Sequence, residues 1–400
     1  MEKQFHKITI VGGGPVGATL SLYLCKAKIP HTIIQKGDFS KEKICSGALT
    51  PEVYRVLNDL NPAWLQEFMD APWSQPSSGI YIGNENKLGV NLGGRRIIKK
   101  IAFSHNVKRL HFDPWVFSKI DPNYAQIHLN TEVEHISRTK DQILIRYQAP
   151  QGLQEHLTSL LIGADGDHSL VRKTLHPNGN RIKRAHTFAT VRQYWKGIQT
   201  DQRKTSELYT LRKPTLLAAW IVHLPNGESN VGIGGLSDLV AKHKVNLKKE
   251  LENFILHDPR MQIKFRDAER ISKVEGWPIP LNTAAKDYTG DQYLLIGDAA
   301  KFPERLYGKG IGIGMLAAQT ASKVIQEAIK ENDFSYKKLK TFEIRINARF
   351  GKEWKKLYWT ERLASNRLMH QIILRLLKLP LIRKRLEKDI AQKVRRSLSR

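Results

Sequence analysis

Three short segments of this 400-residue chain carry residue types and spacings suited to chemistry. The first is Gly12-Gly13-Gly14-Pro15-Val16-Gly17, a G-x-G-x-x-G turn that suits a dinucleotide. Gly12 allows a tight turn, Gly14 lets the backbone approach a pyrophosphate, and Gly17 lets helix and strand pack closely. Pro15 and Val16 complete the turn, and the N–H groups at the start of the helix that follows face the phosphates. A strand that follows ends at Gln35, where an acid normally holds the adenosine ribose. An amide still bonds a ribose, yet Gln35 followed by Lys36 would equally tolerate a 2′-phosphate, so this motif alone leaves FAD and NADP open. The second segment is LLIGADGDHSLVR, residues 160–172, with Asp165 in its turn; the third runs from Leu294 through Gly297, Asp298 and the glycines Gly308, Gly310 and Gly312.

The elements that must position them follow from local pattern. Lys7 to Val11 reads as a short buried strand and Ala18 to Ala27 as a helix, giving strand, glycine turn, helix. The GADG segment reads as a strand ending at Gly163 with a helix from about Ser169, and the third segment as a strand followed by a glycine-rich approach to a long helix. The stretches Thr187 to Trp195 and Leu216 to His223 alternate as strands of a separate sheet.

Size and composition bound the rest. At 400 residues, with 41% hydrophobic content, the chain suits two intertwined domains or one large domain with an insertion. Only Cys25 and Cys45 are present, so no disulfide framework, multi-cysteine metal site or other metal is expected. A reducing cytoplasm is the expected compartment, and with no apolar run of membrane-spanning length the protein is expected to be soluble or peripheral. The formal charge of +27 points to a polyanionic neighbour, nucleic acid or anionic lipid. From residue 331 onward there are 20 Lys or Arg against 7 acids. Leu368, Ile372, Leu376, Leu379, Ile382, Leu386, Ile390 and Val394 recur there at helical spacing, with Pro380 as a break. That region is expected either to lie on the inner membrane face or to pack on the protein with a solvated basic side.

In combination, the ordered segments resemble the FAD-dependent flavoprotein superfamily of aromatic hydroxylases and geranylgeranyl reductases. Lys43-Ile44-Cys45-Ser46-Gly47 is similar to the K-x-C-G-G segment of the reductase group, and Arg109-x-x-Phe112-Asp113 to its R-x-x-F-D helix start. The resemblance implies an α/β, Rossmann-like FAD-binding domain of the aromatic-hydroxylase type, with an inserted, mostly antiparallel β substrate domain and a C-terminal helical region. The implied segments are 1–75, 100–175 and 275–330 for non-covalent FAD, 76–99 and 176–274 for the substrate sheet, and 331–400 for the basic helices. It also implies that Asp298 bonds the ribityl chain and that Gly308 to Gly312, with Gly310 and Ile311, cover pyrophosphate and flavin. By the same resemblance, Arg109 faces the cofactor, Val133 contacts the adenine, and Cys45 with Ser46 lies by the ring, with Asp165 and Gly297 in the flanking turns.

Departures from the pattern bear on the substrate. The group's Y-x-W-x-F-P strand aligns with Ala218-Ala219-Trp220-Ile221-Val222-His223. Ala218 and Val222 would enlarge a pocket around Trp220. His223 is a candidate proton donor or a strand histidine facing solvent, and Cys45 a candidate proton donor or a packing choice. Arg305 and Lys309 would favour negative charge near the flavin, or are exposed loop residues.

The expected activity is flavin-dependent hydride transfer to a double bond of a lipophilic or aromatic small molecule, with NAD(P)H or a carrier protein as electron donor. The alternatives are an FAD monooxygenase acting on an aromatic, polyene or protein- or carrier-bound substrate, in which case an acidic protein is a possible partner, and a basic membrane- or nucleic-acid-binding module with non-catalytic FAD. Halogenase chemistry is disfavoured because the halogenase W-x-W-x-I-P is absent.

Overall fold

Runs such as ITIV and LLIG, apolar at almost every position, belong in a parallel sheet covered on both faces. In the computed structural model, which describes residues 7–84, 89–93, 102–176, 186–200, 205–212, 214–282, 287–306 and 308–398, both are wholly buried. The chain forms two units: Met1–Glu42, Leu110–Ile182 and Pro280–Tyr358, and Lys43–Arg109, Lys183–Ile279 and Trp359–Arg400.

The first unit holds a six-stranded sheet in the order Thr289–Gly290, Tyr293–Leu295, Leu160–Gly163, Ile8–Val11, His31–Ile34, Ala125–His128. Every pairing is parallel except the hairpin at the Thr289 edge. Val11 is in register with both Gly163 and Ile34, so the two N-terminal turns leave the sheet side by side. Helices Pro15–Lys26 and Ile311–Glu331 pack together, and an antiparallel sheet of Glu132–Arg138, Ile143–Ala149 and Gly152–Thr158 completes the layers. From the helix Tyr336–Ser365, buried Glu343 accepts the N–H groups of Tyr288 and Thr289 at 2.9 and 3.0 Å, fixing the edge hairpin. Burial pushes its carboxyl above the ordinary range.

The second unit is a large, mostly antiparallel sheet whose order includes Thr187–Lys196, Glu228–Leu236, Leu217–His223, Thr205–Leu211, Gly79–Asn84 and Gly89–Gly93. One face packs Tyr209, Ala219, Ile221, Val231 and Ile233 against Leu251, Phe254, Met261 and Phe265 of the helical segment 247–265. This is the α/β architecture with an antiparallel sheet and helical C-terminal region expected from the sequence. The chain breaks at Pro380 as expected, between helices Arg367–Lys378 and Pro380–Leu398. They pack on the Gly89–Gly93 strand, and the second also on helix Pro51–Leu60. Among the described residues no helix is long and apolar enough to cross a membrane.

Candidate functional site

Close backbone packing shapes the turns of the first unit. A Cβ at Gly12 would stand 2.4 Å from the Ala164 carbonyl oxygen, and one at Gly17 would stand 1.8 Å from that of Gly12. At Gly14, by contrast, nothing lies within 4 Å of where a Cβ would be, so the turn presents open space directly beside a helix start. The side chain of Val16 packs against Gly297, whose φ of +64° is left-handed, and against Gly314. That contact sets the start of helix Pro15–Lys26 beside that of Ile311–Glu331. Their N-caps, Gly14 and Gly310, offer no side-chain acceptor to the first N–H groups, so two positive helix ends converge.

Gln35 is buried, and its amide oxygen accepts the Gly13 N–H at 2.8 Å, so it braces the turn. Lys36 reaches outward to Glu132 at 2.5 Å. Beside Glu132, Val133 pairs with Tyr147 next to a register shift in the antiparallel sheet.

Asp165 is interior: one oxygen accepts Leu170 N–H at 2.7 Å and Val171 N–H at 3.2 Å, capping helix Leu170–Leu175. Burial raises its pKa. The residue sequence reasoning passed over is Arg172. Buried at the end of the same segment, it donates to the carbonyls of Asp167, Asp298 (3.3 Å) and Ala299 (3.0 Å), clamping the second turn to the third. An arginine on the inward side of a short helix was the available signal. Asp298, so held, is half-buried, with a carboxylate oxygen 3.3 Å from where a Cβ on Gly310 would stand.

The loop leading to Ile311 and Gly312 is stapled by buried Glu304, which accepts Leu306 N–H at 2.7 Å and Lys309 N–H at 3.4 Å. Gly308 donates to the Glu304 carbonyl at 3.1 Å. Tyr307 lies outside the described residues. Arg305 is not an exposed loop residue: it is buried, 3.5 Å from the Asn282 carbonyl and 5.5 Å from the Tyr358 ring centroid. Open space at a glycine turn, two helix N-termini without side-chain caps and a half-buried carboxylate fit the phosphates and hydroxyls of FAD.

In the second unit strand alternation puts Ala218, Trp220 and Val222 on one face, with Thr210 and Leu208 in register with Ala218 and Trp220 on the next strand. The Trp220 ring lies over Gly232, where a Cβ would come within 2.1 Å of it. Asn230 accepts the Trp220 indole N–H at 2.9 Å and donates to the Cys45 carbonyl at 2.8 Å. The Cys45–Ser46 loop is thereby tied to the face bearing Trp220; Cys45 Sγ accepts Gly47 N–H at 3.4 Å. Arg109 opens helix Arg109–Phe117.

His223 lies on the other face, and it does not face solvent. It is buried, 3.5 Å from Glu207 and 3.0 Å from Ser229. Glu207 also binds Lys264 at 2.5 Å and the Tyr209 hydroxyl, and although burial opposes its charge these partners hold its carboxyl down at about 2. The structure therefore groups Cys45 with Trp220 and separates His223 from them.

A family described as FAD binding domain matches residues 6–343. The chain is 22% identical over 365 residues to a 1H-pyrrole-2-carbonyl peptidyl-carrier-protein chlorinase of Pseudomonas fluorescens, covering 84% of this chain and 79% of the relative. It is 23% identical over 353 residues to digeranylgeranylglycerophospholipid reductase 2 of Methanosphaera stadtmanae, covering 87% and 85%. The crystal structure of a geranylgeranyl bacteriochlorophyll reductase-like protein from Thermoplasma acidophilum superposes with a TM-score of 0.79 at 17% identity, covering 98% and 95%.

Proposed function

The chain belongs to the FAD binding domain family, and from that premise we propose that this FAD-dependent oxidoreductase reduces a carbon–carbon double bond of a lipophilic, isoprenoid-like molecule. When bound, FAD supplies two-electron chemistry. Gly14, the helix starts at Pro15 and Ile311, and Asp298 would hold its phosphates and hydroxyls; Gln35 and Arg172 act by fixing the turns. NAD(P)H or a carrier protein is the proposed reductant.

The observation that carries the substrate class is the face built around Trp220. Its register neighbours Leu208, Ile82 and Gly232 form an apolar row, and Ala218 and Val222 flank it with small side chains. Such a surface favours a hydrocarbon over a polar substrate. Reduction of a double bond also consumes a proton, and Cys45, whose loop Asn230 ties to this face, is the candidate donor. We place the enzyme at an anionic membrane surface, where a lipid substrate resides; the reductase relative acts on a digeranylgeranylglycerophospholipid by its name.

Anaerobic reduction with NADPH, NADH or reduced ferredoxin, followed by a polyprenyl lipid, tests this. Flavin reoxidation with formation of the hydrogenated lipid is expected. Strict dependence on O₂ with oxygen in the product would overturn the reduction and establish a monooxygenase instead.

A further inference from the structure

Packing against the protein requires one apolar stripe of a surface helix. The helix Arg367–Lys378 has two. At 3.6 residues per turn His370 and Leu374 fall on one side, and both are buried, with His370 accepting or donating a 3.0 Å hydrogen bond with Thr210. Leu368, Ile372 and Leu376 fall on the opposite side and are exposed, Leu368 to 67%. Beyond them the break between the two helices extends the ridge with Leu379 and with Leu381, which is 84% exposed.

The protein's fold gives this ridge no work, since the helix is already held by its other side. Isolated exposed leucines need no explanation, but a continuous ridge of them does. Its surroundings say what covers it. Residues 359–400 carry twelve Lys or Arg against three acids. Arg375, Lys378, Lys384 and Arg385 beside the ridge are exposed, while Arg383 lies 3.8 Å from Glu387. An apolar ridge edged by cations matches a layer of anionic headgroups over acyl chains. A second copy of this strongly basic chain would bring like charges together.

We propose that the ridge from Leu368 to Leu381 inserts into the headgroup boundary of an anionic bilayer while its flanking cations bind the lipid phosphates. This rests on the reading above that the enzyme works at such a surface, and it assigns the residues that reach it. Binding requires both parts, because a few inserted side chains or a few cations alone give weak, reversible association.

The FAD-loaded full-length protein would be sedimented with vesicles of phosphatidylcholine alone or mixed with phosphatidylglycerol, at low and high salt. Partitioning onto the mixed vesicles only, weakened by salt, is expected. Replacing the apolar residues together (Leu368→Ser, Ile372→Ser, Leu376→Ser) should abolish partitioning, and Arg375→Gln, Lys378→Gln and Arg385→Gln together should weaken it by about a hundredfold. Flavin content and circular dichroism, unchanged in each, confirm folding. Wild-type partitioning that both variants retain would overturn the ridge and leave the surface reading standing. No partitioning by the wild type overturns both. Self-association in sedimentation velocity that only the serine variant loses would give the ridge to a second copy instead. Anaerobic reduction of a detergent-dispersed polyprenyl lipid reads the chemistry separately from all of these.

Discussion

Glycine has opposite tasks in the two units. In the first, Gly12 and Gly17 let backbone meet backbone, so that the turns after two parallel strands nest and two helix ends converge. In the second, Gly232 makes room for a side chain, the Trp220 ring, on the face of an antiparallel sheet. The first arrangement has no tolerance for an added atom, because carbonyl oxygens cannot move aside. The second specifies a surface whose shape depends on which side chain occupies the space. A turn built from main chain leaves little room for change, whereas a surface built from side chains is reshaped by each substitution, and the proposed substrate face at Ala218 and Val222 illustrates the second case.

The largest expected effect tests the rigid side of that contrast. Gly12→Val should cost more than about 4 kcal/mol, because the new side chain meets the Ala164 carbonyl at a φ of +102°. Loss of bound flavin and a collapsed denaturation midpoint would be measured; a flavin-loaded, stable variant would break the comparison.

Acid should then act on both units. Burial holds His31 in the first and His105 in the second at about 4, below the ordinary histidine value. Between the ordinary value and about 4 the unfolded chain binds more protons than the folded one, so stability is complete above the ordinary value and falls as pH falls, by about 3 kcal/mol per histidine. Glu207 has its own window. Its stabilisation is present above the usual carboxylate range and lost as pH drops toward about 2. Urea unfolding at a series of pH values, with His31→Gln and His105→Gln each flattening the first decline, checks the assignment.

A smaller effect is expected on the adaptable side. Asn230→Ala removes the acceptor of the Trp220 indole and the donor to Cys45, costing about 1 to 3 kcal/mol. Flavin content should hold while KM for a lipophilic substrate rises. A loss of flavin with unchanged KM would reverse the roles of the two units.

Sequence alone fixed the parts whose chemistry is local. The glycine turn, the GADG segment, the third segment at Gly297 and Asp298 and their flanking strands were legible because a positive-φ turn, a buried strand and a helix start each leave a signature within a few residues. So did the break at Pro380. What only tertiary structure decided depends on partners distant in the chain. Gln35 could be read as a ribose ligand until Gly13 proved to use its oxygen. Arg172 became a clamp only once the third turn stood beside it, 126 positions on. His223 and Trp220 sit three residues apart, so strand alternation puts them on opposite faces. Which face is packed by helices and which carries the Cys45 loop depends on segments elsewhere in the chain. The same holds for the C-terminal ridge: periodicity showed an apolar stripe from Leu368 to Val394, but the structure turns its first part outward and buries Val394. The helical spacing of the apolar residues is written in the sequence, whereas which of them is left uncovered is set by what the rest of the chain packs against the helix.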